Sequence, residues 1–281
     1  MGAWKTGLFV IRQLIKRYFR DHVGQSAAEL AYYLLFSLFP LLIFLHAALS
    51  MLHLSPQMLE HTLDSLLPPQ AAELVRTYLS YIQGLDKPLL LYACLFLTVY
   101  AVSRATTSLI RSLSHAYRLR RQSRFSLVAG VLVTLLLLGS LIGLMVLMVI
   151  SETLLLQIDR FITLPDVLIR LWNLLRVTLA PLYMLLVLTG LYATVGFRHY
   201  RLKQALPGAV FVVVIGFGVS TAFSYYIGNA ARYSLLYGSL AAFMVLMLWL
   251  YLIGAVIILG GELNHILANH KEIVAKENEH E

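Results

Sequence analysis

Residues 127–150 run LVAGVLVTLLLLGSLIGLMVLMVI without a single charged side chain. A spanning helix takes about 20 consecutive, mostly apolar residues. In lipid every backbone N–H and C=O must be satisfied within the protein, so such a run is a helix unless it closes a barrel. Barrel strands alternate apolar and polar positions over about ten residues, and this run does not alternate. Five further runs share its character: residues 30–54 (broken by Pro40), 89–110 (with Arg104 near the end), 172–197 (Arg176 early, Pro181 inside), 205–227 and 236–261. The predicted fold is all-α: a polytopic membrane protein of six transmembrane helices. Composition agrees, because 13% charged residues against 59% hydrophobic ones is half the usual charge of about 25%. That is too little to cover a water-soluble surface. Cys94, the single cysteine, excludes an intrachain disulfide and a cysteine metal cluster.

Lysine and arginine placement orients the bundle. Sixteen of the 22 lie on one side: Lys5, Arg12, Lys16, Arg17 and Arg20 before the first span; Arg104, Arg111, Arg118, Arg120, Arg121 and Arg124 between spans two and three; Arg198, Arg201 and Lys203 between four and five; Lys271 and Lys276 in the tail. Six lie on the other: Arg76, Lys87, Arg160, Arg170, Arg176 and Arg232. Both termini are therefore expected in the cytoplasm. The net charge of +8 then belongs to membrane topology, and no nucleic-acid partner is expected.

Residues 1–24 form an amphipathic leader. Trp4, Leu8, Ile11, Ile15 and Phe19 recur at helical spacing, with Lys5, Arg12, Lys16 and Arg20 on a neighbouring stripe. Such a helix suits the anionic headgroups of the inner leaflet. It lacks the uninterrupted apolar core and cleavage site of a signal peptide. The membrane domain covers residues 25–264 and a polar cytoplasmic tail residues 265–281. Within the domain, residues 55–88 predict a periplasmic helical hairpin. Ser55-Pro56 opens it as cap and first helical residue, and Pro68-Pro69 divides it.

Ionisable residues at or within spans are costly and are functional candidates. Glu29 opens the first span, Arg104 nears the end of the second, and Glu262 ends the sixth, with Asn264 just beyond. All are expected at the cytoplasmic end, as a gate or as an ion-pair cluster in which Glu29 and Glu262 meet Arg104 or Arg111. Tyr33, Ser37 and Pro40 on the first span, Pro181 on the fourth and Ser239 at the sixth are the candidate cavity lining. Proline removes one helical hydrogen bond and kinks the helix there. Arg170, Arg176 and Arg232 are candidate periplasmic anion contacts. His46 and His53 read as ordinary interfacial histidines. Gly139 and Gly143 form a GxxxG, facing either a neighbouring span or a second protomer, so a homo-oligomer is one expectation. No metal or cofactor site is expected.

The segment AELAYYLLFSLFP, from Ala28 to Pro40, resembles the signature first span of the YihY/BrkB family of bacterial inner-membrane proteins. Tyr237-Gly238-Ser239-Leu240-Ala241-Ala242, Trp249-Leu250-Tyr251 and Gly261-Glu262-Leu263-Asn264 are similar to its terminal span. The resemblance implies a multi-pass protein of the bacterial cytoplasmic membrane, an association with virulence, and envelope-lipid transport. It also brings a ribonuclease label. The sequence holds no GxSxG, HExxH, GxGxxG or P-loop pattern. A transporter or translocase of an amphipathic or anionic, lipid-like envelope component, without its own ATPase, is the reading preferred over a non-transporting membrane scaffold or envelope assembly factor, and both over a ribonuclease or other membrane enzyme.

Overall fold

The computed structural model describes residues 3–51, 72–73, 75–77, 80, 88–119, 133, 139–140, 143, 166–196, 202–229 and 239–270. Six helices follow in order: α1 (Ala3–Arg20), α2 (Val23–Met51), α3 (Pro88–Ala116), α4 (Asp166–Val195), α5 (Leu202–Asn229) and α6 (Ser239–Ala268). No strand occurs among the described residues. Among the described residues four stretches are long and apolar enough to cross a membrane: Val23–Ile43, Tyr92–Ala116, Leu202–Tyr226 and Leu240–Ala268. The shorter apolar stretch Pro181–Val195 ends α4. Most of the third expected span, most of the expected hairpin, Arg232 and the tail from residue 271 fall outside the described residues.

α6 is the hub and packs against α1, α2, α3 and α5, while α2 pairs with α3 and α4 with α5. Small side chains sit on the buried faces of α2 and α3. Ala27 and Ala31 on α2, and Ala101 and Ala105 on α3, are all buried. Spaced one turn apart, such residues let helix backbones approach closely where lipid offers no hydrophobic driving force. The main core gathers Leu30 of α2, Leu109 and Leu113 of α3, Leu191 and Tyr192 of α4, Val212 of α5, and Val256 and Ile258 of α6.

The prolines do not end their helices: α2 continues past Pro40, α4 past Pro181 and α5 past Pro207. The second span also runs further than its sequence suggests. The segment SRATTSLIRS is rich in hydroxyls, yet α3 continues to Ala116. The Thr107 and Ser112 hydroxyls donate to the carbonyls of Ser103 and Ser108 one turn earlier. Polar side chains that satisfy themselves on their own helix do not terminate it.

α1 turns its two faces to different surroundings. Gln13 and Arg17 are buried. Leu8, Ile11, Ile15 and Phe19 are exposed, alongside exposed Arg12, Lys16 and Arg20. The helix therefore docks on the bundle through its polar side and leaves its apolar stripe open.

Candidate functional site

Two constellations gather charge. The first is a buried joint where α1, the ends of α3 and α6, and the α1–α2 link converge. Arg17 Nη1 donates to Glu262 Oε2 at 2.8 Å, with the two residues 5% and 1% exposed. Asp21, in the link, receives both oxygens' worth of Arg118: Nη2 lies 3.1 Å from Oδ1 and 2.8 Å from Oδ2. Arg20 adds a longer contact at 3.3 Å. Burial pushes the Asp21 carboxyl up, but the hydrogen bond from Arg20 and the charge of Arg118 outweigh it and hold it below its ordinary value. Asp21 and Glu262 also lie within hydrogen-bonding reach of each other.

Local backbone geometry builds this joint. His22 and Arg118 take φ of 51° and 56°, a left-handed conformation that costs an L-residue roughly 1–2 kcal/mol. At Arg118 it forms a Schellman close: Leu119 N–H donates to the Ser114 carbonyl and Arg118 N–H to that of His115. Glycine usually fills this position. Arginine here gains the ion pair with Asp21 in exchange.

Asn264, one half-turn beyond Glu262, extends the joint to α5. Its Oδ1 accepts from the Gly208 N–H at 2.6 Å, and its Nδ2 donates to the Ala205 carbonyl at 3.1 Å and Tyr117 Oη at 3.2 Å. Tyr192 Oη donates to the Ile257 carbonyl of α6 at 2.6 Å. Tyr18 and Tyr251 hydroxyls meet at 3.0 Å.

The second constellation lies higher, on the exposed α2–α3 face. Arg104 lies inside α3 (Pro88–Ala116), and Tyr33 ten residues into α2 (Val23–Met51). At 1.5 Å per residue Arg104 sits about 18 Å before the C-terminal end of α3. Its Nη2 donates to Tyr33 Oη at 3.3 Å, and the guanidinium carbon stands 5.5 Å from the Tyr33 ring centre. That is cation–π range. Arg104 remains exposed. One turn before Tyr33 on α2 and two turns beyond Arg104 on α3, Glu29 meets Arg111 at 3.8 Å.

The structure thus divides what the sequence suggests as one cluster. Glu262 takes Arg17, not Arg104 or Arg111, and Glu29 takes Arg111. Arg104 is not at a helix end, because α3 continues twelve residues beyond it. Ser37 is buried and donates to the Leu34 carbonyl at 2.8 Å, and Pro40 is buried beside it. An open pocket of about 290 Å³ is lined by Gly139, Ser140, Tyr183, Leu186, Val187 and Gly190. Tyr33, Ser37, Pro40, Pro181 and Ser239 are not among its walls. The GxxxG finds a neighbour in the bundle: Tyr183 Oη donates to the Ser140 carbonyl at 2.7 Å, and a Cβ at Gly143 would stand 2.9 Å from that hydroxyl. Arg170 and Arg176 lie in the first half of α4, and Ser239 opens α6. Sequence reasoning missed Arg17, Asp21 and Arg118 as partners. The available signal was Gln13, Arg17 and Asp21 at four-residue spacing, a polar line off the basic stripe.

Comparison with known proteins follows the same residues. The family model for virulence factor BrkB matches residues 14–281. The ribonuclease-like protein YfkH of Bacillus subtilis (strain 168) is 32% identical over 266 residues, 94% of this chain and 96% of its own. A UPF0761 membrane protein of Xanthomonas campestris pv. campestris (strain B100) is 28% identical over 261 residues, 90% of this chain and 59% of the relative. One from Xanthomonas oryzae pv. oryzae (strain PXO99A) is 28% identical over 266 residues, 92% of this chain and 60% of its own length. The chain therefore spans about three fifths of these Xanthomonas relatives. No solved structure matches it.

Proposed function

The chain belongs to the BrkB virulence-factor family of membrane proteins, and from that premise we propose that it is a translocase for an anionic amphiphile of the bacterial envelope. The observation that carries this reading is Arg104. It is a fixed cation inside a helix able to span the membrane, exposed on the bundle surface, held by a tyrosine rather than a carboxylate. A charge at that depth is retained where it meets a counter-charge or water. An arginine fork matches a phosphate or carboxylate headgroup. The Arg111–Glu29 pair one step along the same helices supplies a second polar station. A headgroup would move along this face while its acyl tails stay in lipid. The reading gives the chain no catalytic chemistry of its own. It takes its drive from a gradient or a partner.

The test is flip-flop of a fluorescent phosphatidylglycerol in vesicles holding the purified protein, read by quenching from outside. Wild type is expected to exceed empty vesicles, and to prefer phosphatidylglycerol over phosphatidylcholine. Arg104→Gln should slow it by about tenfold or more, the scale of one lost charge-assisted hydrogen bond. Arg104→Lys should fall between, keeping the charge and losing the fork. Flux equal to empty vesicles, or unchanged in Arg104→Gln, removes the proposal.

In the same reading α1 lies on the inner leaflet, with Leu8, Ile11, Ile15 and Phe19 in lipid and Arg12, Lys16 and Arg20 among anionic headgroups. Both termini then face the cytoplasm. Reporters fused after Asp86 and after Asn269 should lie on opposite sides of the membrane; the same side for both overturns this topology.

A further inference from the structure

The Arg17–Glu262 and Asp21–Arg118 pairs account for most of the buried joint but leave two atoms over. Glu262 Oε1 is fully buried and receives no hydrogen bond, and neither does Arg17 Nε give one. A buried polar atom without a partner is uncommon and calls for a cause. Across the joint from Glu262 stands a second carboxyl, Asp21, whose side chain is 4% exposed. Two ionised carboxylates in such contact repel each other, and sharing one proton removes the conflict. It also gives Oε1 a hydrogen to donate.

We propose that Asp21 and Glu262 form a one-proton binding site that fastens α1 to the bundle. In the loaded state the hydrogen bonds run in one direction. Arg17 donates to Glu262 Oε2, the Glu262 carboxylic acid donates to Asp21, and Arg118 donates to Asp21 from the far side. The charged and titratable groups acting on this site are Arg17 and Arg20 of α1, Arg118 at the end of α3, and His265 one turn along α6. Glu29 of α2 is engaged with Arg111. The arginines favour the ionised form of Asp21, and its lowered carboxyl fits the role of acceptor. The proton belongs to the pair, and its release is a property of both groups together.

Release of the proton sets two carboxylates against each other where the α1–α2 link crosses α6. The contact between α1 and the bundle then weakens. This makes α1 docking a function of pH on the side of the membrane where α1 lies. It does not depend on what the bundle carries, because none of these residues belongs to the Arg104 face.

Infrared spectroscopy of the full chain in lipid nanodiscs reads the proton directly, through the C=O stretch of a protonated carboxylic acid. At neutral pH the wild type should show this band. It should shift when glutamate is isotope-labelled, and disappear as pH is raised. Glu262→Gln and Asp21→Asn should both lack it. Amide exchange across α1 should accelerate over the same pH range, beyond the intrinsic rate, and Glu262→Gln should hold α1 protected throughout. The wild-type experiments stand alone if either variant fails to fold. The absence of the band at neutral pH, a band unmoved by labelled glutamate, or its survival in folded Glu262→Gln overturns the site. Exchange in α1 that ignores loss of the band overturns the coupling.

Discussion

Glu262→Leu is expected to cost about 3–5 kcal/mol, the usual penalty for leaving a buried charge without its partner. The reason lies with the partner left behind. Arg17 is 5% exposed and cannot shed its charge, so its guanidinium stays buried without an acceptor. The double variant Arg17→Met, Glu262→Leu removes the buried guanidinium together with its acceptor and fills the space with apolar volume, and should regain most of the loss. This non-additivity is what contacting residues show. Melting of the four proteins in one detergent checks it; a double variant as unstable as the sum of the singles refutes the pairing. Acid acts on the same joint through Asp21. Its carboxyl is held below the ordinary value, so its contribution is present above the unfolded value and is lost as pH falls through the folded one. The bundle should therefore loosen in acid even where the Arg17–Glu262 contact is intact.

Four of the expected spans were legible because lipid imposes a blunt rule: long uncharged runs have almost no other home. Residues 205–227 and 236–261 are read that way, and α5 and α6 follow them. Glu262 and Asn264 were legible as residues in need of partners, since a charge and an amide at the end of an apolar run stand out. Their partners were not. Arg17 sits among five basic leader residues and looks like one more headgroup contact. Only the packing of α1 against α6 separates it from Arg12, Lys16 and Arg20, which remain exposed. Arg104 was legible as a charge within a span, but its partner was not, because Tyr33 is an uncharged residue on another helix. Sequence shows which residues are expensive in a membrane. Which of them meet is decided by helix contacts between positions some 245 residues apart, as with Arg17 and Glu262.

Gly208→Ala should be among the most damaging single-methyl changes in the chain. A Cβ there would overlap the Gly260 carbonyl oxygen and the Asn264 amide. The first of these is backbone and cannot rotate away. Relief requires α5 and α6 to separate at their crossing, where Asn264 bonds the Gly208 N–H and the Ala205 carbonyl. Overpacking a tight core costs roughly 1–3 kcal/mol, and each hydrogen bond stretched open adds about 0.5–1.5 kcal/mol. A loss of about 3 kcal/mol corresponds to an apparent melting temperature lower by roughly 10 °C in a protein of this size. Gly218 lies on the same helix, and a Cβ there would meet nothing within 4 Å. Gly218→Ala should therefore be neutral, or stabilising by about 0.5–1 kcal/mol through better helix propensity. The opposite signs of two identical substitutions ten residues apart separate close helix approach from any general intolerance of α5 to change. Equal melting of Gly208→Ala and wild type would show that the α5–α6 crossing is not held at this distance.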